Sequence, residues 1–345
     1  DALYSAVEEG EGQVVTVVGE AGVGKSRLLY EFDNWIEIHG PEVRFFQGRG
    51  RQETQNLPYA LLRDTFAFRF QIQESDNADM VRKKIEAGFG ETLSTDEHGQ
   101  MRAHFIGQLL GIDFSARPHL KGVLNDAEQL RNRGLMYLEE YFQSVSAVMP
   151  TVVFLEDIHW ADDSSLDAVN RLGRSASQQR LMFVCAARPS LFERRPYWGE
   201  GLAYHYRLAL EPLSKRQSGL LIDEILKLVE QIPPDLRQLV LRGAEGNPFY
   251  IEELIKMLVE DGVIITGEER WLVEPDRLAQ VEVPTTLTGV LQARLDSLPL
   301  EERQVLQQAS VVGRIFWDDA VRCMSAESVT PTKLNTPYNT DEDLI

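Results

Sequence analysis

Cysteine is nearly missing from this chain: Cys185 and Cys323 are the only two, too few for a disulfide framework. Such sparse use fits a reducing compartment, so a cytoplasmic location is expected, with both thiols read as small buried or indifferent residues. Long apolar runs are missing too. No stretch approaches the length of a membrane span, and the N-terminus lacks a basic region followed by an apolar one, so no membrane association is expected. Positive charge is scarce: 35 Lys and Arg against 54 Asp and Glu leave a net charge of −19. Phosphate-backbone binding needs the opposite balance. From Pro284 onward five bases (Arg294, Arg303, Arg314, Arg322, Lys333) face nine acids, so no direct nucleic-acid binding is expected there either. His159 has no His or Cys partner at metal-ligand spacing, and a hydrogen-bonded structural role is expected for it. No internal repeat or low-complexity block is present.

The 345 residues, 43% hydrophobic and 26% charged, suffice for two or three ordinary globular domains. Little precedes the first apolar run, and a polar, proline-bearing stretch from Thr330 to Pro337 follows the last periodic one. The chain is therefore expected to be a piece of a larger protein, with 326–345 a linker or disordered tail.

The most informative segment is Gly19-Glu20-Ala21-Gly22-Val23-Gly24-Lys25-Ser26, a full match to the phosphate-cradle pattern G-x-x-x-x-G-K-[ST]. From average residue usage the bare pattern arises by chance in roughly one chain of this length in a hundred. Its context is right as well: Val14 to Val18 reads as a buried strand, and Leu28, Leu29, Phe32, Trp35 and Ile36 fall on one helical face. The glycines let successive N–H groups turn toward phosphate oxygens, and the helix start adds its positive end. Lys25 is expected on the β- and γ-phosphates and Ser26 on Mg²⁺, with Gly19 through Arg27 lining a site for ATP or ADP.

A second element follows Thr151-Val152-Val153-Phe154-Leu155, a strand that runs into Glu156-Asp157. Paired with a phosphate loop, two acids after a buried strand supply a Mg²⁺-side carboxylate and a base for water. By position Glu156 is the Mg²⁺-side residue and Asp157 the base. The usual order is Asp then Glu, so the two roles stay interchangeable at this point, and a short Asp as base implies slow hydrolysis. The next strand, Leu181–Cys185, is followed by Arg188, placed either to sense a γ-phosphate or as a surface arginine. Between these two strands, Asp162 or Ser164 is expected to cap the helix that follows Glu156-Asp157, with Ser164 and Asp167 matching a capping box.

Two further strands are read at Glu42–Gln47 and Tyr206–Leu210, and helices from Pro58 to about Tyr141, broken near Glu74–Asp79 and Gly88–Gly99. The fold class is α/β: a P-loop NTPase with a parallel five-stranded core sheet, then a helical lid and the start of a small winged-helix-like domain. The expected boundaries are 1–212 for the α/β domain with an insertion over about 74–141, 213–282 for the lid, and 283–325 for the partial winged helix. Lid helices are read at 214–228, 233–242 and 248–260, a hairpin near 264–273, and two more helices at 285–298 and 301–312. Gly246-Asn247-Pro248-Phe249 opens a lid helix, and Pro248 either packs on the adenine or simply starts the helix.

Together, Val15 to Leu29, Leu155 to Asp162, Gly246 to Leu254 and Val283 to Arg314 resemble the signal-transduction ATPases with numerous domains (STAND), in the branch fused to class III cyclases or LuxR-type regulators. The resemblance covers roughly residues 10–320. It implies a switch in which ATP exchange for ADP opens a closed monomer and permits oligomerisation or release of an effector. It also implies nucleotide contacts by Lys25, Ser26, Glu156, Asp157, Arg188 and Pro248, and effector and sensor domains outside this chain. The chain is expected to stop before the histidine-bearing end of the winged helix that contacts ADP in several members. Two alternatives stand beside the slowly hydrolysing switch: an ADP-locked scaffold without turnover, and a ring-forming AAA+ remodelling ATPase. The ring would use an arginine before the fifth strand and a sensor arginine in the lid, for which Arg194, Arg195 and Arg242 are available.

Overall fold

The computed structural model describes residues 2–39, 42–281, 286–312 and 321–322. They divide into two compact units, Asp1–Ser214 with Asn247–Phe249, and Lys215–Gly246 with Tyr250–Ile345.

The first unit is built on five strands: β1 (Gln13–Val18), β2 (Arg44–Arg49), β3 (Thr151–Glu156), β4 (Leu181–Ala187) and β5 (His205–Ala209). All pairs are parallel, in the order β2-β3-β4-β1-β5. Every residue of β1 and β4 is buried, which is why both read as continuous apolar runs rather than alternating ones. Alternation reappears in where the side chains go. Phe183, Cys185 and Ala187 enter one core, while Met182, Val184 and Ala186 enter the core on the other face. Burial pushes the Cys185 thiol up to about 12, so it behaves as a small apolar residue.

Helices α1 (Ala2–Glu8) and α2 (Lys25–His39) cover one face through Tyr4, Val7, Leu29 and Ile36. On the other face lie α3 (Ala60–Arg69), α4 (Ala78–Leu93), α5 (Glu97–Leu109), α6 (Pro118–Lys121), α7 (Ala127–Val148), α8 (Asp163–Ser175) and α9 (Ser190–Arg194). The helices between β2 and β3 share one core with the sheet: Phe46 of β2 meets Phe66, Tyr141 and Phe142 with ring centroids 5.3–6.2 Å apart. The break expected near Gly88–Gly99 falls at Ser94–Asp96, between α4 and α5. α4 continues to Leu93, because Gly88 serves packing: a Cβ on it would lie 2.2 Å from the Phe70 ring.

Strand ends differ from expectation by a residue or two, the usual uncertainty of such boundaries. β2 begins at Arg44 rather than Glu42 and runs on to Arg49, and β4 extends to Ala187. The extra residues carry Arg49 and Glu156 inside the ladder.

The second unit contains α10 (Lys215–Ile225), α11 (Pro234–Ala244) and most of α12 (Pro248–Glu260), then the antiparallel pair β6 (Ile264–Ile265) and β7 (Leu272–Val273). α13 (Pro275–Leu278), α14 (Leu287–Ser297) and α15 (Leu300–Val312) follow. Ile251, Leu254, Ile255 and Leu258 are buried with Ile222, Leu236 and Val240, as their helical spacing predicts. Arg294 of α14 forks onto Glu260 at 2.8 and 3.1 Å and also pairs with Glu253. Residues 313–320 and 323–345, which hold the rest of the expected winged-helix segment and the expected tail, lie outside the described residues. Among the described residues, no helix is long and apolar enough to cross a membrane.

Candidate nucleotide site

The glycine-rich turn joins the end of β1 to the first residue of α2, Lys25. Gly22 and Gly24 have φ of +79° and +106°, conformations that side-chain-bearing residues rarely adopt. Gly22 is constrained twice, since a Cβ on it would also lie 2.6 Å from the Asn247 side chain. Asn247 donates from Nδ2 to the Ala21 carbonyl at 2.9 Å, and the Phe249 N–H donates to the Gly22 carbonyl at 3.3 Å. Pro248 sits between these two contacts as the first residue of α12, a position that suits a residue without an N–H.

Lys25 is buried, and its ammonium donates to the carbonyls of Gly19 and Glu20, both at 2.8 Å. Two of its three N–H bonds are thus used. Burial lowers its pKa, with the nearby Arg188 charge acting the same way and Asp157 and Glu20 opposing. Such a desolvated cation gains from an incoming anion. Val23 is buried, whereas Glu20 is exposed.

The two acids after β3 part company. Glu156 faces the phosphate loop: its Oε2 accepts from the Ser26 hydroxyl at 3.0 Å, and its Oε1 from Gln47 Nε2 at 3.2 Å. Asp157 turns the other way, in a left-handed conformation (φ +51°, ψ +36°) that non-glycine residues enter at a cost. Its Oδ2 accepts from Arg49 Nε at 2.8 Å and forms an ion pair with Arg49 Nη2 at 2.6 Å. Among the described residues no group of three or more His, Cys, Asp or Glu is arranged to hold a metal ion. A Mg²⁺ fits the Ser26–Glu156 pair only if phosphate oxygens and water supply its other ligands, which is how Mg²⁺ ordinarily binds.

Arg188 follows β4, and its guanidinium has no ion-pair partner among the described residues. Its backbone N–H lies 3.4 Å from Nδ1 of the buried His159. Burial pushes the His159 pKa down to about 4, with Asp157 opposing and Arg188, Lys25 and Arg194 reinforcing, so the ring is neutral near pH 7.

A parallel sheet with these loops at its carboxyl edge agrees with what the sequence matches. Residues 1–184 match the AAA ATPase domain, over half of the chain. The chain belongs to the AAA ATPase domain family. Residues 214–269 match a domain of unknown function, DUF8739. An uncharacterized protein of Rhizobium meliloti (strain 1021) is 27% identical over 330 residues, covering 90% of this chain and 28% of its own length. Solved structures are similar at lower identity. A signal transduction ATPase with numerous domains and a tetratricopeptide repeat sensor, from Pyrococcus horikoshii, is 14% identical at TM-score 0.45, over 93% of this chain and 36% of that one. The ORC1 protein of Aeropyrum pernix, solved with DNA, is 14% identical at TM-score 0.42, over 97% and 77%. This chain thus spans about a third or less of the first two proteins.

Within the first unit, most of the residues expected from the motifs come together. Lys25, Ser26, Glu156, Asp157 and Arg188 are linked by the bonds and electrostatic couplings above. Arg27 is not drawn in. Its guanidinium pairs with Glu31 one turn along α2 and lies 5.5 Å from the Tyr30 ring centroid. Arg194 and Arg195 are tied to their own chain, Arg194 to the Ala161 carbonyl at 2.5 Å and Arg195 to Asp163 at 3.3 Å and to Asp167.

One residue of the AAA ATPase domain escaped the motif reading, and the expected cap Asp162 does more than its motif implies. Arg49 holds Asp157 from a position 108 residues earlier. A signal for it exists in the arginine between Gly48 and Gly50 at the end of a strand. Asp162 caps more than its own helix. It is buried, accepts from the Ser165 N–H at 2.8 Å and the Ser165 hydroxyl at 2.6 Å, and also from the Tyr59 N–H at 2.8 Å. The capping partner is therefore Ser165, and the expected Ser164–Asp167 box does not form, because Asp167 is paired with Arg195.

Proposed function

We propose that this chain is the nucleotide module of a regulatory switch of the STAND type, binding ATP and ADP with Mg²⁺ and hydrolysing ATP slowly. The observation that carries the reading is the division between the two acids: Glu156 bonded to Ser26 and Asp157 held by Arg49. That arrangement favours Glu156 on the Mg²⁺ side and Asp157 as the base. When bound, Mg²⁺ would neutralise charge on the phosphates. Lys25 would bind the β- and γ-phosphates, and Arg188, a cation without an acid partner, would approach the γ-phosphate.

Slow turnover follows from the same geometry. Asp157 is one methylene shorter than the glutamate usual at that place, and it must leave Arg49 before it can accept a proton from water. Asn247, Pro248 and Phe249, bonded to Ala21 and Gly22, would transmit the state of the loop to the rest of α12. In this reading effector and sensor domains lie outside the chain, the ATP state permits a homo-oligomer, and the net charge of −19 argues against nucleic acid as a direct ligand. A cytoplasmic location fits the sparse cysteine. The bonds of Arg194 and Arg195 to their own chain weigh against the ring-forming alternative.

The test is to purify the chain, identify any co-purifying nucleotide, and measure ATP turnover for the wild type, Lys25→Ala and Asp157→Asn. Slow turnover lost in both variants is expected. Turnover that Asp157→Asn leaves unaltered removes the base assignment, and absence of any nucleotide binding removes the proposal.

A further inference from the structure

A second polar cavity, of about 730 Å³, lies in the first unit among α7, α8 and the segment between α9 and β5. None of the phosphate-loop residues and neither acid after β3 lines it. Four arginines do: Arg131, Arg171, Arg174 and Arg195. Two of them are neutralised, Arg171 by Glu139 at 2.7 and 3.2 Å and Arg195 by Asp163 and Asp167. Arg131 and Arg174 have no carboxylate partner among the described residues.

This concentration is unusual in a chain of net charge −19. Arg171 and Arg174 stand three apart on α8, where like charges repel. The one lining acid not engaged with these arginines is Glu200. Asn170, on the same helix, lines the cavity and is 8% exposed, and its Oδ1 is buried without a hydrogen-bond partner. Buried acceptors are nearly always satisfied. A ligand that brought both an anion and, once the Asn170 amide turns toward the cavity, an N–H or O–H donor would remove the two deficits together. The Tyr197 ring, 74% exposed, adds a flat apolar surface, and the volume lies in the range of small-molecule sites.

We propose that this cavity is a second binding site, separate from the phosphate loop, for a phosphorylated nucleoside. Arg131 and Arg174 take the phosphate, Asn170 accepts from a ribose hydroxyl or an exocyclic amine, and Tyr197 stacks on the base. The proposal does not depend on the switch reading of the first site.

Calorimetric titration of the whole chain tests it, with AMP and inorganic pyrophosphate as probes. Lys25→Ala disables the phosphate loop, and Lys25→Met serves if that variant fails to fold. One AMP should bind per chain in either background. Arg131→Ala with Arg174→Ala should weaken AMP and pyrophosphate at least tenfold, while Asn170→Ala should weaken AMP severalfold and spare pyrophosphate. Both arginines are exposed, so folding should survive, which circular dichroism checks. Absence of AMP binding in both backgrounds, or binding that the double arginine variant leaves unchanged, overturns the site. AMP affinity unaltered by Asn170→Ala overturns the nucleoside as its ligand.

Discussion

Replacing Arg49 by alanine is expected to speed ATP turnover. Arg49 Nε donates to Asp157 Oδ2 at 2.8 Å, its Nη2 lies 2.6 Å from the same oxygen, and the side chains are 37% and 24% exposed. A fully exposed pair contributes well under 1 kcal/mol, and a half-screened, charge-assisted one about 1–2 kcal/mol. If Asp157 must leave this grip to serve as base, the same amount is added to the barrier. Its removal accelerates the chemical step roughly five- to thirty-fold. Single-turnover hydrolysis under saturating Mg²⁺ and enzyme measures that step free of product release. The same substitution in an Asp157→Asn background should change nothing, which completes a double-mutant cycle. An Arg49→Ala rate equal to or below the wild type refutes the reasoning, because Arg49 would then be neutral or would support the reaction.

Other consequences follow from the same contacts. Lys25→Ala removes a charge-assisted donor from the phosphates and should weaken ATP binding by about 2–4 kcal/mol, roughly thirty- to a thousand-fold, by calorimetry. Asp162→Ala strips the cap from α8 and an acceptor from the Tyr59 N–H, and should cost about 3 kcal/mol in urea unfolding. Acid should destabilise the helices after β2 through His104 and His119. His104 Nδ1 and His119 Nε2 are 3.0 Å apart, and His104 Nε2 is 2.8 Å from Glu86 Oε1, which also pairs with Arg117. Burial is the main cause that lowers both pKa values. Glu86 opposes it at His104, and the His104 and Arg117 charges reinforce it at His119. A histidine held neutral in the fold takes up its proton more readily when unfolded, so its contribution is present above pH 6.5 and is lost as pH falls toward the lowered values. A His104→Gln His119→Gln variant should show a shallower loss of thermal stability below pH 6.5.

The phosphate loop, the acids after β3 and the Asn247 segment were legible in the sequence because each is a short motif whose chemistry requires neighbouring residues. The split between Glu156 and Asp157 was not. It depends on Ser26 and Gln47 on one side and Arg49 on the other, brought together only when β2, β3, β4 and β1 assemble in the sheet. Helical periodicity located α12 to the residue, since its buried stripe is long and regular. It placed a break near Gly88–Gly99 that falls at Ser94–Asp96, while Gly88 itself stays helical for a reason that lies in the Phe70 ring rather than in its own backbone. Nothing local announces that Asp162 caps one helix while holding the start of another, or that Asn170 is buried without a partner; both are consequences of packing.

Hydrogen exchange of the Asp157→Asn chain loaded in turn with ATP and with ADP tests the central claim most directly. A switch requires the two nucleotides to leave the protein differently protected, first at Phe249, whose N–H donates to Gly22, and onward along α12. Equal protection in the two states, with both nucleotides bound, would contradict the switch and leave a scaffold.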